Sequence, residues 1–136
     1  MKRAYPSGIS EYQRIVHVLV EELAQDSGII FAYLYGSFPE LRPYHDIDIG
    51  VYVRDPRDAE EIALALTQNL SSALERPADV RILNNAPTSF LYHVLRGERL
   101  LCRDDELLSS LIERTARIYL DIEPLRRQAI REAFVK

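Results

Sequence analysis

Hydrophobic residues recur along the chain with two different periods, and segments with the two periods alternate. Apolar residues three and four positions apart are typical of amphipathic helices, whereas short β-branched and aromatic runs are typical of strands. Helices are predicted at about 10–26, 58–74, 88–96 and from 104 onward. Strands are predicted at 29–35, 46–53, 78–83 and 98–103. This alternation of helices and strands predicts an α/β fold.

Polar residues and a proline predict where several helices begin or break. Ser10 is predicted to cap the first helix, because its hydroxyl can accept from the unpaired N–H groups of a first turn. Thr88 or Ser89 is predicted to cap the third helix in the same way. Pro124 is expected to kink or interrupt the last helix, with an amphipathic pattern continuing from Leu125 to Phe134.

The first two predicted strands differ in charge. The strand at 29–35 is uncharged throughout, which suits packing on both of its faces. The strand at 46–53 instead begins with Asp46 and Asp48, which alternation places on one face with isoleucines on the other. Two such carboxylates repel each other and lose hydration, and this cost is hard to explain unless a cation such as Mg²⁺ lies between them. An isolated Asp-x-Asp is more often a solvated strand edge or loop.

Between these strands, Gly36 and Ser37 interrupt the apolar run. Gly36 allows the backbone to approach a ligand closely, and Ser37 adds a hydroxyl and an N–H donor. A phosphate-binding turn facing carboxylate-bound Mg²⁺ is the arrangement that nucleotidyl transfer requires. A Gly-Ser pair alone is usually only a turn, but the ordered combination of strand, Gly-Ser, short loop, Asp-Ile-Asp and strand predicts a nucleotide site.

Composition and charge narrow the protein class. The 136 residues are 47% hydrophobic and 28% charged, which is typical of one globular domain. We expect a single domain over 1–136, with a core at about 10–103 and a helical segment at about 104–136. No apolar run is long enough for a membrane span, and the single Cys102 suits a reducing cytoplasm. The net charge of −4 argues against direct nucleic-acid binding.

The segment from Ile29 to Val53 resembles the signature of the DNA polymerase beta nucleotidyltransferase superfamily. Gly36, Ser37, Asp46 and Asp48 match the family pattern of a strand, Gly-Ser and Ser-Asp-x-Asp. Two features depart from it. The sequence Pro39-Glu40-Leu41 stands where the family often has Ala-Arg-Gly, and His45 stands where Ser is usual. The length of the chain is similar to that of the minimal nucleotidyltransferases, which are typically antitoxins encoded beside a HEPN-domain ribonuclease toxin.

Asp79 resembles the third carboxylate of this superfamily. The resemblance implies that Asp79 neighbours the other two aspartates, completes the metal coordination and takes the proton from the attacking hydroxyl. The spacing along the chain does not by itself place Asp79 there. The alternative is an aspartate at a strand end that bonds to a turn or to Arg81.

The resemblance implies a fold, a reaction and a partner. The fold would be a small mixed β-sheet with helices mainly on one face and a C-terminal helical segment. The reaction would be transfer of AMP from ATP to a tyrosine of the HEPN toxin, in a hetero-oligomer with that toxin. Asp46, Asp48 and Asp79 would hold Mg²⁺, and Gly36 and Ser37 would bind the triphosphate.

Three other interpretations stay open. The protein could modify a small molecule, although such enzymes usually carry an additional substrate domain. It could neutralise a toxin by binding alone, with an inactive site. It could also be a regulatory or structural α/β domain, which would leave the strand carboxylates unexplained.

Overall fold

The computed structural model describes residues 4–5, 8–40 and 43–134, and the side chains among them except those of 40 and 122–134. Within these residues the chain forms four α-helices and four β-strands, and every predicted element is confirmed. The helices are α1 (Ile9–Ala24), α2 (Ala59–Leu74), α3 (Thr88–Leu95) and α4 (Asp105–Phe134). The strands are β1 (Ile29–Tyr35), β2 (Ile47–Val53), β3 (Ala78–Ile82) and β4 (Glu98–Cys102).

The strands form one mixed sheet in the order β3-β2-β1-β4. β1 lies antiparallel to both β2 and β4, whereas β2 and β3 are parallel. A parallel pair needs a long crossover, which α2 provides between β2 and β3. The predicted α/β class with a mixed sheet is therefore confirmed. This order also brings the C-terminal end of β1 and the N-terminal ends of β2 and β3 to the same edge of the sheet.

The helices are divided between the two faces of the sheet, in contrast to the expectation that they lie mainly on one. On one face, α1 and α2 pack against Ile47, Ile49 and Val51 of β2. On the other face, α3 and the first turns of α4 pack against aromatic residues of β1. The physical reason lies in β1, which is apolar on both faces and needs a cover on each side.

The face that carries α3 and α4 also carries Asp48 and Asp79, and we call it the carboxylate face. Its core contains Phe31, Tyr33, Tyr35, Leu83, Leu91, Val94, Leu108 and Leu111. Alternation along β2 explains this placement, because the isoleucines fill the opposite face. Nonpolar packing therefore supports the sheet beneath a cluster of acidic side chains.

Two predicted caps are wrong. The first helical hydrogen bonds of α1 and α3 run from Tyr12 N–H to the Gly8 carbonyl and from Leu91 N–H to the Pro87 carbonyl, both 2.9 Å. Gly8 and Pro87 are thus the cap residues, with no side-chain cap bond. Ser10 and the two residues at 88–89 lie inside their helices because the helices begin earlier than predicted.

The last helix also differs from the prediction. α4 runs from Asp105 to Phe134, so Pro124 does not interrupt it. The side chains of the amphipathic stretch predicted at 125–134, and Leu41 of the predicted loop, lie outside the described residues. Among the helices that the structure describes, none is both long and apolar enough to cross a membrane.

Candidate active site

Asp48 and Asp79 are neighbours across the sheet. They are register partners in the parallel pair of β2 and β3, so their side chains project from the same face. Asp46 precedes β2 by one residue, and its charge acts on Asp48 strongly enough to raise the pKa of that carboxyl. The sheet order therefore places Asp79 beside Asp48, and Asp46 lies near enough for its charge to act on Asp48.

The environment of Asp48 opposes its ionisation. Desolvation is the largest cause, followed by the charges of Asp79 and Asp46, and together they raise the pKa of Asp48 to about 6. Arg81 and His93 lower the pKa and offset part of this effect. A carboxylate held against such forces is a good ligand for a cation that would neutralise the cluster.

Tyr35 is a member of the site that the sequence did not indicate. It is the register partner of Asp48 across β1 and β2 and is buried. Burial and the charge of Asp48 raise the pKa of Tyr35 to about 12, so the phenol stays protonated at neutral pH. Its ring meets those of Phe90 and His93 edge to face, with centroids 5.7 Å apart in each case. These contacts join α3 to the carboxylate edge.

Asp79 has a neighbouring cation. The Nε atom of Arg81 lies 3.5 Å from a carboxylate oxygen of Asp79, and the two side chains are 61% and 42% exposed. This contact is the one expected if Asp79 is an aspartate at a strand end that bonds to Arg81. An exposed pair of this kind contributes only about 0–1 kcal/mol, so Asp79 can exchange Arg81 for another partner at little cost.

Gly36 lies directly against Asp48. Its φ of +87° is in the left-handed region, and a Cβ atom added there would collide with the Asp48 carboxylate oxygen. Both constraints exclude a side chain at this position. Ser37 follows as a partly buried residue, and a short 3₁₀ turn over Phe38–Glu40 begins immediately after it. The turn thus brings its backbone into direct contact with the Asp48 carboxylate.

The three carboxylates do not form a ready metal cage. Within 4–5, 8–40 and 43–134, no group of three or more His, Cys, Asp or Glu side chains is close enough to hold a metal ion. The donor set nevertheless fits Mg²⁺, which typically binds one or two carboxylates and completes its octahedron with water and phosphate oxygens. Asp48 and Asp46 could supply the carboxylates, with Asp79 adjacent.

A cleft opens beside Gly36, and we call it the Arg96 cleft. Its volume is about 370 Å³. It is lined by Tyr35, Gly36, Pro39, His93, Arg96, Gly97 and Glu98. The residues from the end of α3 and the start of β4 were not predicted as site residues. The helical period of α3 indicated its buried face but not which strand end it would approach.

The family comparison covers more than half of the chain. Residues 18–106 match the family described as Polymerase beta, Nucleotidyltransferase. The matched range includes Gly36, Ser37 and all three aspartates. No curated protein matches the sequence.

Solved structures share the fold over nearly their whole length. One is a tri-AMPylated HEPN toxin from Shewanella oneidensis in complex with an MNT antitoxin, with TM-score 0.68, 23% identity, and coverage of 91% of this chain and 99% of that chain. A toxin–antitoxin with AMP-PNP gives TM-score 0.70, 22% identity, and coverage of 88% and 98%. The toxin–antitoxin MntA–HepT gives TM-score 0.59, 25% identity, and coverage of 93% and 98%.

Proposed function

The chain belongs to the polymerase beta nucleotidyltransferase family, and from this premise we propose that it is an antitoxin that transfers AMP from ATP to a tyrosine of a HEPN-domain toxin. The observation that carries the proposal is the meeting of Asp48, Asp79 and Gly36 at one edge of the sheet. A domain without a ligand here would be more stable with uncharged side chains at these positions. The presence of carboxylates that repel each other in a half-buried cluster therefore points to a ligand.

The solved structures support the acceptor and the nucleotide. One of them contains an AMPylated HEPN toxin with an MNT antitoxin, and another contains AMP-PNP, an ATP analogue. We propose that this chain likewise uses ATP and modifies a HEPN toxin, and that it forms a hetero-oligomer with that toxin. We also place the reaction in the cytoplasm, in one domain spanning 1–136, without direct contact to nucleic acid or membrane.

Asp46 and Asp48 would hold Mg²⁺, with Asp79 adjacent to complete the site. The bound metal would supply positive charge to the phosphates as negative charge develops on them. Gly36 and Ser37 present backbone and hydroxyl donors to the triphosphate, and the absence of a Cβ at 36 leaves room for that approach.

Asp79 would act on the acceptor. The tyrosine oxygen forms a bond to the α-phosphorus, the bond from that phosphorus to the bridging oxygen breaks, and pyrophosphate leaves. The tyrosine proton passes to the Asp79 carboxylate, which reaches the site from a strand separate from the other two aspartates. Asp79 must first separate from Arg81, and the exposure of that pair makes the exchange inexpensive.

The solved structures favour a protein acceptor over a small molecule, because this chain covers 97–99% of chains that come from toxin–antitoxin complexes. Neutralisation by binding alone is the second candidate, and the Asp79–Arg81 ion pair favours it, because it occupies the proposed base. The two functions differ in whether nucleotide is transferred.

The experiment incubates the purified chain with the HEPN-domain protein encoded beside it, ATP and Mg²⁺, and weighs both proteins by intact mass spectrometry. We expect the partner to gain one or more AMP units on tyrosine. The double variant Asp46→Asn with Asp48→Asn is the control and should still form the complex. Complex formation without any added mass would favour the binding function.

A further inference from the structure

We propose that the Arg96 cleft binds the β- and γ-phosphates of the nucleotide, with Arg96 as the cation that contacts them. The inference rests on the proposed function and assigns a residue from the turn between α3 and β4 to substrate binding. Gly36 is the link, because it lies against the Asp48 carboxylate and also lines the cleft. A triphosphate whose α-phosphorus lies at the aspartates can therefore extend its terminal phosphates past Gly36 into this space. A volume of about 370 Å³ is within the usual range of small-molecule sites, roughly 300–1,000 Å³.

Arg96 lines the cleft without an anionic partner among the described residues. Its guanidinium lies 5.5 Å from the Tyr92 ring, and in the part of the chain that the structure describes no carboxylate lies within ion-pair distance of it. Of the other described arginines, all but Arg114, which lines a different cavity, have a hydrogen-bond or ion-pair partner. Those paired with carboxylates are Arg14, Arg57, Arg76, Arg81, Arg99 and Arg117, and those donating to backbone carbonyls include Arg54 and Arg103. A guanidinium lining a cleft without a counter-ion is available to a phosphate, which it binds through two parallel hydrogen bonds.

The backbone that carries Arg96 is held by its neighbours. Arg96 directly follows α3, and the Tyr92 ring that its exposed side chain approaches stacks on Tyr119 of α4 with centroids 4.0 Å apart. The next residue, Gly97, lies so close to the Leu34 carbonyl that a Cβ there would collide with it. This contact holds the turn between α3 and β4 against β1. The backbone origin of the Arg96 side chain is therefore fixed in the lining of the same cleft as Gly36, although the side chain itself is exposed to solvent.

Side chains of opposite charge line the cleft. His93 lies on the same wall as Arg96, whereas Glu98 brings a carboxylate to the cleft. Among the described residues, Arg96 is the arginine that lines this cleft, and it comes from the turn between α3 and β4. Substitutions of Arg96 and Glu98 should then change triphosphate affinity in opposite directions.

The test measures the affinity of the purified chain for Mg²⁺-ATP and Mg²⁺-pyrophosphate by calorimetry. Arg96→Gln should weaken both by about tenfold to a hundredfold, the size of a lost hydrogen bond to a charged group. Arg96→Lys should recover part of the loss, and Glu98→Gln should strengthen both ligands. Arg57→Gln is the matched control, because Arg57 is an exposed arginine beyond the opposite end of β2 and should have no effect.

The outcomes separate this inference from the proposed function. Unchanged affinity of Arg96→Gln for both ligands, in a parent that binds ATP and modifies its partner, overturns the inference alone. Loss of ATP binding with normal pyrophosphate binding also overturns it, because the cleft would then hold the base or sugar. A parent that binds neither ligand overturns both. Equal melting temperatures of parent and variants establish that a loss of affinity does not come from unfolding. If Arg96→Gln fails to fold, the affinity of Arg96→Lys for the same two ligands tests the inference.

Discussion

Asp48 of β2 and Asp79 of β3 lie directly opposite each other in a parallel pair, on the same face of the sheet. Adjacent strands are only about 4.8 Å apart, so the two carboxylates repel at close range. Asp46 adds a third negative charge, and burial of Asp48 removes water that would otherwise screen its charge. The ionised carboxylates therefore lower the free energy of unfolding, and variants that remove one of these charges should be more stable.

Asp48→Asn should stabilise the protein, in a manner that depends on pH. The pKa of Asp48 rises from 3.8 to about 6 on folding, so the folded state disfavours its charged form. The contribution of Asp48 to stability is therefore greatest below pH 4, falls as the pH rises towards 6, and stays low above it. Asn carries no charge and avoids this loss. Because the side chain is only half-buried, we expect a gain of about 1 kcal/mol at pH 8.

Urea unfolding of the parent and of Asp48→Asn at pH 4 and pH 8 checks this. The gain should be present at pH 8 and nearly absent at pH 4. An equal gain at both values would mean that the stabilisation comes from packing or hydrogen bonding and not from charge.

Mg²⁺ should bind to the acidic cluster and be required for ATP. Triphosphate and carboxylates repel each other without a cation, so calorimetry in the presence of a chelator should show no ATP binding. The double variant Asp46→Asn with Asp48→Asn should bind neither Mg²⁺ nor Mg²⁺-ATP and should transfer no AMP. Its melting temperature should be equal to or above that of the parent. Transfer at the parental rate by this variant would disprove the metal assignment, and Asp58→Asn, an exposed charge removed elsewhere, serves as the control.

Gly36→Ala should damage the site more than an ordinary Gly→Ala change. At φ +87° an alanine is strained, and its Cβ would displace the Asp48 carboxylate. A residue in such a backbone region costs about 1–3 kcal/mol. We expect a lower melting temperature and a weaker affinity for Mg²⁺-ATP. Gly8→Ala is the matched control, since a Cβ there meets no atom within 4 Å. The same loss in both variants would remove Gly36 from the nucleotide site.

Particular residues mark how far the sequence alone could predict this arrangement. The uncharged run from Ile29 to Tyr35 predicted β1, and the alternation of Asp46 and Asp48 with isoleucines predicted which face carries the charges. These are local patterns with a direct physical reading. The same uncharged run also implied that both faces of β1 are covered, although the helices were expected mainly on one.

Features that depend on which elements become neighbours could not be predicted in this way. The spacing of Asp79 does not reveal that β3 pairs with β2, and it was the family resemblance that implied this. The helical period of α3 predicts a buried face through Leu91 and Val94, but it does not place His93 and Arg96 beside Gly36. Such contacts result from the sheet order and the packing of helices, which are properties of the whole chain.

The last prediction concerns the division of roles between Asp79 and the other two aspartates. Asp46 and Asp48 alternate at the start of one strand and can hold the metal that arrives with the triphosphate. Asp79 comes from the neighbouring strand and is 42% exposed, so it can meet a hydroxyl that enters from outside. Asp79→Asn should therefore bind Mg²⁺-ATP almost as tightly as the parent, while transfer of AMP falls about 10²–10⁴-fold, the usual effect of losing a general base. Calorimetry measures the first quantity and intact mass the second.

Arg81→Gln provides the control that distinguishes a general base from a structural partner. If Asp79 served only to pair with Arg81, removing either residue would have the same small effect on stability and none on transfer. If Asp79 is the base, Arg81→Gln keeps the carboxylate and should transfer AMP, whereas Asp79→Asn should not. Loss of ATP binding in Asp79→Asn, as complete as in the Asp46 and Asp48 double variant, would instead assign Asp79 to metal retention. The comparison thus gives a different result for each of the three roles that the position of Asp79 permits.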